Sequence, residues 1–521
     1  MKLNYKRTIL VGFAFFLINA FWQAYDATIP VILTNKFGMS QTWSGVIMAL
    51  DNILAVFMLP LFGALSDKCT GKRGRRTPFI VFGTAVAAVA LVALSFVDGM
   101  QLKNLSEISA IDDPAVLEII YDEQAEATLS TPEGDTYKLA DLYTKEEFAA
   151  IRTTDKATAV DENGKEQEIS PYSYYVVPAR QACVAERTSA SATPLIMFVG
   201  LLLVVLVAMS TFRSPAVALM PDVTVKPLRS KANAVINLMG TAGGILVLIL
   251  GTVFATSAAK NQMMSYTVYY AVIAGIMLGA LAVFLLTVRE KAWAEQMQKD
   301  SVTYGIEDEP EADTGEKRKL SPAQKRSLIC ILLSVALWYA GYNAVTSKYS
   351  VYAGNILDKD YNLTMLLAQG AAIVAYLPAG MAASKIGRKK TILAGVVMLA
   401  AAFGAASFMR ASSPDWLMYI LFMLAGIAWA TINVNSFPMA VEMCSGSDVG
   451  KYTGYYYTAS MTAQIITPML SGFLMDTVAD TVLFPYATVF VALAFVTMLL
   501  VKHGDTKVVA KKGLEAFDND D

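Results

Sequence analysis

Charged residues are scarce in this sequence. Asp, Glu, Lys and Arg make up 17% of its 521 residues, whereas soluble domains carry about 25%. The formal net charge is −2, and Lys and Arg lie in short connections between apolar segments. A nucleic-acid-binding protein needs a basic patch on one face of a folded domain, so we predict no nucleic-acid partner.

Histidine and cysteine are also nearly absent. The only histidine is His503, and the four cysteines are Cys69, Cys183, Cys330 and Cys444, without a metal-ligand spacing. The topology predicted below puts only Cys183 on the outer side, which excludes an intramolecular disulfide there. No nucleophile–base set is visible in the apolar segments. We therefore predict that the protein is not an enzyme and binds no metal or cofactor.

Apolar residues are abundant, at 55% of the chain with a mean hydropathy of +0.46. They form runs of roughly twenty residues, the length of a helix that crosses a bilayer. The first six predicted spans are Thr8–Leu33, Trp43–Leu65, Pro78–Val97, Pro194–Arg213, Ala234–Ser257 and Tyr266–Val288. The second six are Leu328–Tyr349, Leu363–Ala383, Thr391–Met409, Trp416–Pro438, Tyr452–Met475 and Val482–Lys502. The predicted fold class is an all-α integral membrane protein with twelve transmembrane helices in the lipid bilayer.

The distribution of Lys and Arg predicts which side faces the cytoplasm. Loops after even-numbered spans hold most of the basic residues, for example Lys72, Arg73, Lys389 and Lys390, and the other loops hold few. Cytoplasmic loops carry this excess, so both termini are predicted to be cytoplasmic. The apolar run near the N-terminus shows no small-residue cleavage site, and we interpret it as a retained first span. A multi-pass protein of the cell membrane, present as a monomer, is expected.

Two long connections interrupt the series of spans. Residues 98–193 are acidic, with the turn signals PEGD and DENGK between the β-prone stretches TYKLADL and YSYYVV. We predict a small folded extracytoplasmic insert, with a disordered loop as the alternative. Residues 289–327 are too polar to form a core and are predicted to be a cytoplasmic linker. The other predicted units are helices 1–3 (1–97), helices 4–6 (194–288), helices 7–12 (328–502) and a cytoplasmic tail (503–521).

The two halves of the chain resemble each other. AFWQAYDAT in span one aligns with ALWYAGYNAVT in span seven, with one inserted residue, which matches Asp26 to Asn343. The end of span two, with Pro60 and the GRR that starts at Gly74, matches the end of span eight, with Pro378 and the GRKK that starts at Gly387. Two repeated six-helix halves with a solute site between them are typical of secondary transporters.

Asp26 and Asp51 are carboxylates within predicted spans. A charge costs a few kcal/mol there and persists where it faces the bundle interior or water. Each lies six to eight residues from the outer end of its span, about 9–12 Å deep. Two close, desolvated carboxylates favour proton uptake, and a Na⁺ site with Asn52 is equally allowed. Alternatively, each carboxylate pairs with a buried donor or lines an outer vestibule.

Aromatic and amide side chains in the spans are suited to a polyhydroxylated solute, through stacking and hydrogen bonds. The alternative is that they are packing residues or interface anchors. The candidate solute-binding residues are Trp22, Gln23, Asn19, Trp338, Tyr342, Asn343, Gln369 and Asn237.

The loop GALSDKCTGKRGRRTPFI, from Gly63 to Ile80, contains an acid, several glycines and several arginines. Asp67 is placed to accept hydrogen bonds from Arg75 or Arg76, forming a cytoplasmic latch that opens as the halves move. A loop that only sets topology would explain the arginines but not Asp67 and the glycines. Lys385 and Arg388 are the corresponding candidates in the second half.

This loop resembles the signature loop of the major facilitator superfamily. Its longer form, SDKCTGKRGRRTPFI, and the segment RSPAVALMPD from Arg213 to Asp222 are similar to the sucrose-transporter-like branch of the glycoside–pentoside–hexuronide:cation symporter group. The resemblance implies two six-helix repeats and cotransport of a glucoside or disaccharide with H⁺ or Na⁺. It does not cover the insert. Melibiose-type members carry an acid directly before the span-two proline, where this chain has Leu59.

The sequence therefore predicts a sugar:cation symporter that works by alternating access and is coupled to H⁺. A uniporter or an exporter of another small polar solute is the nearest alternative. A membrane receptor that uses the insert is a more remote one.

Overall fold

The computed structural model describes residues 3–160, 166–225, 228–303, 321–441 and 449–503. Cys444, linker residues 304–320, tail residues 504–521 and the DENGK turn signal lie outside the described residues.

Six long helices from the N-terminal half form one bundle. They are α1 (Tyr5–Asn35), α2 (Gln41–Asp67), α3 (Thr77–Asn104), α8 (Thr193–Val223), α9 (Arg229–Val253) and α10 (Thr267–Thr287). Six from the C-terminal half form the second bundle: α12 (Pro322–Asn355), α13 (Tyr361–Ile386), α14 (Arg388–Ala406), α15 (Asp415–Val441), α16 (Val449–Thr477) and α17 (Leu483–Leu499). Each bundle has its own apolar core.

The predicted all-α membrane fold is confirmed. Eleven helices among the described residues are long and apolar enough to cross a membrane. The remaining predicted span, the eleventh in chain order, is α16, a 29-residue helix that packs against α2 and α12. Its polar start, VGKYTGYYYTAS, explains why it is less apolar than the others.

Several helices begin at residues that satisfy their first amide groups. Ser40 caps α2 and Asp360 caps α13 through their side chains, and Ser321 forms a capping box with Gln324 at α12. Proline stands in the first turn of α3 and α8, where its missing N–H is not needed. These local features set where these helices begin.

The repeat seen in the sequence is also present in the backbone. Gly74 follows α2 with a φ of 133°, and Gly387 follows α13 with a φ of 92°. Residues other than glycine rarely adopt such φ angles, so glycine is required at the same turn in both halves. The turn leads directly into α3 in the first half and into α14 in the second.

Residues 105–160 and 166–192 form a folded insert at one end of the first bundle. It contains α4 (Pro114–Gln124), β1 (Leu129–Ser130), β2 (Thr136–Tyr137), α5 (Leu139–Leu142), α6 (Lys145–Ala149), β3 (Ala157–Val160), β4 (Glu166–Ile169) and α7 (Val177–Ala190). β1 pairs with β2 and β3 with β4, both antiparallel. The end of the molecule that carries the insert is called the insert side, and the opposite end the terminal side.

The insert has an apolar core of its own, which includes Leu117, Ile120, Phe148 and Val184. Cys183 lies in this core, and burial raises the pKa of its thiol to about 12. On the surface, Thr144 and Glu147 form a capping box at α6. Hydrogen bonds from Thr144 to the Glu147 carboxylate lower the pKa of that group.

The β-prone stretches of the insert were only partly predicted correctly. PEGD forms the turn between β1 and β2, as its composition indicated. LADL, however, forms the short helix α5, and YSYYV, at Tyr172–Val176, forms a π-helical turn that runs into α7. Tyr172 and Val176 are buried in the insert core, because packing in this site outweighs the intrinsic preference of tyrosine and valine for strands.

A buried ion pair anchors the insert side of the first bundle. Lys36 donates to both Asp98 carboxylate oxygens at 2.6 and 2.8 Å and to the Met264 carbonyl at 2.6 Å. Both charged side chains are fully buried. Burial lowers the pKa of the Lys36 ammonium, and Asp98 opposes that shift. Because neither charge has access to water, each depends on the other, and the pair fixes the α1–α2 connection to α3.

The first part of the predicted linker forms the helix α11 (Glu290–Thr303). Arg7 donates to Gln296 at 2.7 Å and lies over the Trp293 ring, so α11 is held against the start of α1. Glu290, at its first turn, is buried.

Candidate functional site

Asp26 and Asp51 line the same polar cavity between the two bundles. Its volume is about 160 Å³. Asp51 accepts a hydrogen bond from Asn52 Nδ2 at 2.8 Å, and all three side chains are half-buried. Asn343 and Gln464 line the opposite wall, which belongs to the second bundle. Residues far apart in sequence therefore enclose one site with two carboxylates.

The two carboxylates lie well inside their helices. Asp26 is nine residues before Asn35, the end of α1, and Asp51 is ten residues after Gln41, the start of α2. At 1.5 Å per residue this is about 14–15 Å from the helix ends. Both helices extend beyond the predicted spans on the insert side, and the depth of about 9–12 Å below the outer surface stays a prediction.

Arg213 is a charged residue of this cavity that sequence reasoning missed. Its guanidinium carbon lies 5.7 Å from the centre of the Trp22 ring. The sequence placed Arg213 at the end of span four, since basic residues usually mark a cytoplasmic boundary. The helix instead continues to Val223, so Arg213 lies within it. Pro215 and Pro221 inside α8 favoured the wrong boundary.

A second, larger cavity adjoins the first, with a volume of about 350 Å³. Trp22, Asp26 and Thr346 line both. Gln369 Nε2 donates to Gln23 Oε1 at 2.6 Å, which joins an amide of each bundle across the cavity. Asn19 lines the cavity on the first-bundle side.

The second bundle contributes a flat aromatic surface to this cavity. The rings of Tyr342 and Trp429 stack with centres 3.7 Å apart and planes 7° from parallel. Tyr339 meets the edge of Trp429 at 5.2 Å. The sequence identified Tyr342 but not Trp429, because a tryptophan in an apolar span has no local feature that separates packing from binding.

Two predicted solute-binding residues do not line either cavity. Trp338 is fully buried in the core of the second bundle, so its placement in the solute site was wrong. The repeat alignment matched it to Trp22, but the inserted residue turns the two helix faces relative to each other. Asn237 also lies outside both cavities, and its carbonyl accepts a hydrogen bond from Thr241 Oγ1.

The basic loop after α2 forms an ion-pair cluster on the terminal side. Arg76 contacts Asp67 at 2.5 Å, as the sequence predicted, and Asp222 at 2.8 Å. Arg75 contacts Asp222 at 2.5 Å rather than Asp67. A Cβ at Gly63 would lie 2.9 Å from Ser214 Oγ, so α2 and α8 pack closely beside the cluster. These contacts join helices of the first bundle.

Glu290 is a third carboxylate of this region, and the sequence did not indicate its role. It accepts hydrogen bonds from the backbone N–H groups of Arg76 and Thr77, both at 2.8 Å, and from Thr77 Oγ1 at 2.7 Å. It therefore caps the N-terminus of α3, where a negative charge is favourable. The linker was predicted as a spacer, yet its first acidic residue is part of the bundle.

The corresponding loop of the second half makes different contacts. Lys385 is exposed on the last turn of α13, and Arg388 is half-buried at the start of α14. Lys389 donates to the carbonyls of Leu499 and Val501 at the end of α17. Cations are favourable at a helix C-terminus, so this loop stabilises the end of the last helix.

The two bundles meet on the insert side in a polar seam. Asn35 and Asn355, at the ends of α1 and α12, exchange side-chain hydrogen bonds at 3.1 and 2.7 Å. Gln262 Nε2 also donates to Asn355 at 3.1 Å, and Gln181 of the insert donates to Asn35 at 3.0 Å. We call these four residues the amide cluster.

Close packing of α2 and α16 extends this seam. A Cβ at Gly472 would overlap the Gln41 carbonyl, so the two backbones touch there. Asp476 accepts from the backbone N–H groups of Gln41 at 2.8 Å and Thr42 at 2.7 Å, and thus caps α2 from the other bundle. The Lys348 ammonium donates to the Gln41 carbonyl at 2.5 Å. The insert side of the molecule is therefore closed.

Fold and cavities together define a class: a multi-pass membrane protein of two repeated helix bundles with a polar site between them, the arrangement of secondary transporters. Sequence comparison agrees. The model of the Major Facilitator Superfamily matches residues 355–517, and that of the MFS/sugar transport protein family matches residues 10–103. These two models thus match a segment in each half of the chain, in agreement with the resemblance of its signature loop to that superfamily.

Two plant proteins share a short segment with the chain. Sucrose transport protein SUC4 of Arabidopsis thaliana is 36% identical over 74 residues, which cover 14% of this chain and 14% of the plant protein. Sucrose transport protein SUC3 of the same plant is 37% identical over 67 residues, 13% of this chain and 11% of the plant protein. The matches thus span about an eighth of each relative and support the sucrose-transporter-like branch.

Solved structures share the fold over nearly the whole chain. The inward-open xylose transporter XylE from E. coli has a TM-score of 0.57 at 14% identity, with 98% of both chains covered. The nucleoside transporter NupG (D323A mutant) has a TM-score of 0.53 at 12% identity, with 95% of this chain and 100% of that chain covered. At these identities the likeness concerns the fold alone.

Proposed function

We propose that this protein is a sugar:cation symporter that works by alternating access and is driven by H⁺. The observation that carries the proposal is the pair of adjoining cavities at mid-depth between the bundles. One holds the carboxylates Asp26 and Asp51, and the other is lined by amides and stacked aromatic rings. Trp22 and Asp26 belong to both, so an ion site and a solute site share a wall.

The chemistry of the larger cavity favours a sugar. A flat aromatic face stacks against the C–H face of a pyranose, while amide groups exchange hydrogen bonds with hydroxyls. Tyr342 with Trp429 supplies such a face, and Gln23 with Gln369 supplies the amides. The matching family model describes sugar transport, and the plant relatives are named as sucrose transport proteins. A glucoside or disaccharide is therefore the proposed solute class.

The smaller cavity supports coupling to an ion. Two carboxylates near mid-membrane are costly unless a cation neutralises them, and Arg213 supplies only one positive charge along this wall. A proton bound by the Asp26–Asp51 pair would remove the remaining charge and let the bundles close around the solute. Na⁺ held with Asn52 would do the same, and the ion-gradient experiment below distinguishes the two.

Alternating access requires a site that opens to each side in turn. In the structure the insert side is closed by the amide cluster and by the contact between α2 and α16. We propose the orientation given by the basic loops, with the insert outside the cell membrane and both termini in the cytoplasm. On the terminal side, the cluster around Asp67 and Arg76 joins helices of the first bundle in this state. We propose that it acts as the latch by contacting Lys385 and Arg388 of the second half when that side closes. The proposed unit is a monomer in the bilayer, with a small solute as its partner.

The test is uptake of labelled mono- and disaccharides into proteoliposomes under an imposed H⁺ or Na⁺ gradient. Asp26→Asn is expected to abolish gradient-driven accumulation, at least about a hundredfold, while exchange of solute across the membrane without a gradient persists. Equal accumulation by the variant would refute the coupling role. Asp135→Asn, an exposed carboxylate of the insert, is the matched control and is expected to leave accumulation unchanged.

A uniporter or exporter with the same fold is the remaining candidate. Such a protein would equilibrate the solute equally well with and without an ion gradient. The wild-type protein in the same assay therefore decides between these mechanisms.

A further inference from the structure

The insert touches both bundles, although only the first bundle carries it in the chain. Its two ends join α3 and α8, and its core includes Ala259 and Met263 from the connection between α9 and α10. Gln101 Nε2 of α3 donates to Thr188 Oγ1 of α7 at 2.9 Å. These contacts fix the insert to the first bundle as one body.

The turn between β1 and β2 reaches across to the second bundle. The Thr481 N–H, at the start of α17, donates to the Pro132 carbonyl at 3.1 Å. A Cβ at Gly134 would overlap the Val478 carbonyl, so the turn lies directly on the α16–α17 connection. Glycine is needed there for space and for its φ of 97°.

A charge contact lies beside this turn. Glu133 Oε1 is 3.7 Å from Arg410 Nε, in the connection between α14 and α15, and Tyr174 of the insert donates a hydrogen bond to the same carboxylate. Glu133 and Arg410 are mostly buried, with 25% and 31% of their side chains exposed. Residues 132–134, which we call the insert tip, thus contact two loops of the second bundle.

The insert also takes part in the amide cluster. Gln181 of α7 donates to Asn35, which is paired with Asn355 of the second bundle. The insert therefore crosses the closed seam at the α16–α17 connection and supports the Asn35–Asn355 pair from the first-bundle side. Any motion that separates the bundles on this side must pull the insert tip from the second bundle.

We propose that the insert is an external clamp that stabilises the state closed on the insert side and sets its population relative to the opened state. The clamp is one body with the first bundle and releases at the insert tip. This proposal rests on the proposed alternation between two states. It assigns the insert a role in the transport cycle and not in solute binding.

The first experiment measures the two states directly by double electron–electron resonance. Spin labels at Lys260→Cys and Trp416→Cys report the distance between the bundles on the insert side, with Cys69, Cys330 and Cys444 replaced by serine. Replacement of the insert tip (Pro132→Ser, Glu133→Ser and Gly134→Ser) removes the Glu133 carboxylate beside Arg410 and places a Cβ at residue 134 against the Val478 carbonyl, which displaces the turn. It is expected to raise the ratio of the long to the short distance about threefold to tenfold.

Asp135→Asn is the matched control, because this exposed residue directly follows the insert tip. Protection of the native Cys183 thiol from maleimide verifies that the insert is still folded. An unchanged distance distribution in the tip variant would overturn the clamp. The distance measurement needs no solute. The clamp proposal can therefore be refuted while gradient-driven uptake is observed, and the symport proposal can be refuted while the distances change as expected.

The second experiment prevents release. Glu133→Cys with Arg410→Cys, joined by a short bis-methanethiosulfonate reagent, is expected to reduce uptake at least about tenfold and to recover with dithiothreitol. Gln101→Cys with Thr188→Cys, joined in the same way within one body, is the control and is expected to retain uptake. Full uptake with the insert tip joined to the second bundle would show that the insert need not release.

Discussion

At the scale of single residues, the informative feature is where polar side chains are tolerated inside the apolar helices. Asp26 and Asp51 were predictable, because the cost of a buried charge leaves few alternatives to a cavity. Arg213 and Trp429 line the same cavities but were not predicted. Arg213 resembled a helix boundary and Trp429 resembled packing. The position of Arg213 is evident only because α8 continues past it to Val223, and that of Trp429 only because its ring stacks on Tyr342.

Trp429 provides a test of the proposed solute site. Trp429→Ala removes the face that stacks on Tyr342, and the half-saturating sugar concentration for uptake is expected to rise about tenfold, or about 1.4 kcal/mol. Trp416, exposed on the same helix α15, offers the matched variant Trp416→Ala, which should not change that concentration. Equal effects of the two changes would argue against a stacking role.

Glu290 provides a test of stability at the same scale. Glu290→Gln removes the negative charge from three hydrogen bonds at the start of α3 and is expected to lower the free energy of unfolding by about 1–3 kcal/mol. Thermal unfolding in detergent measures this as a lower Tm. Glu295→Gln, on the exposed face of the same helix α11, should leave Tm unchanged, and a Tm equal to wild type for both variants would exclude the cap.

At the scale of helices and strands, the sequence was most successful where the signal is local. Apolar runs predicted the twelve helices, and the glycines at Gly74 and Gly387 matched the two halves, although the helix ends extend further than hydropathy indicated. YSYYV was misassigned, because its β preference is outweighed by packing in the insert core. The carboxylates that contact the basic loop after α2, such as Asp222 and Glu290, come from distant segments of the chain. No local sequence pattern specifies these contacts.

The insert core gives a prediction at this scale through Cys183. Burial raises the pKa of this thiol to about 12, so below that pH it remains protonated, and the reactive thiolate is scarce at pH 7 to 9. We expect no maleimide labelling in that range in intact protein and rapid labelling after unfolding. Ser189→Cys, exposed near the end of the same helix α7, should label readily. Labelling of Cys183 at the same rate would show that the insert core is open.

At the scale of the whole molecule, the seam on the insert side depends on contact between backbones as well as on hydrogen bonds. Such contact exists only while Gly472 has no side chain. The sequence showed the glycine but not its partner, since Gln41 belongs to the other half of the chain. Relations between the two bundles were therefore the part of the structure that the sequence could not supply.

Gly472→Val is expected to keep α2 and α16 apart and thereby to disfavour closure on the insert side. The distance between labels at Lys260→Cys and Trp416→Cys should shift to the longer value, and uptake should fall at least about tenfold. Gly454→Val lies on the same helix where a side chain would meet nothing within 4 Å, so it should preserve both. A short distance retained in the Gly472 variant would contradict this role of the glycine.

The cap that Asp476 places on α2 has a consequence for the energetics of the whole cycle. The first amide groups of α2 donate to an acceptor on the opposite bundle. These hydrogen bonds therefore exist only while the two bundles are in contact on the insert side. When the halves part, the amides of Gln41 and Thr42 and the freed carboxylate become available to water, which replaces the lost partners. Hydration of the parted seam thus offsets much of what closure gains, so this cap by itself does not lock the protein in the closed arrangement.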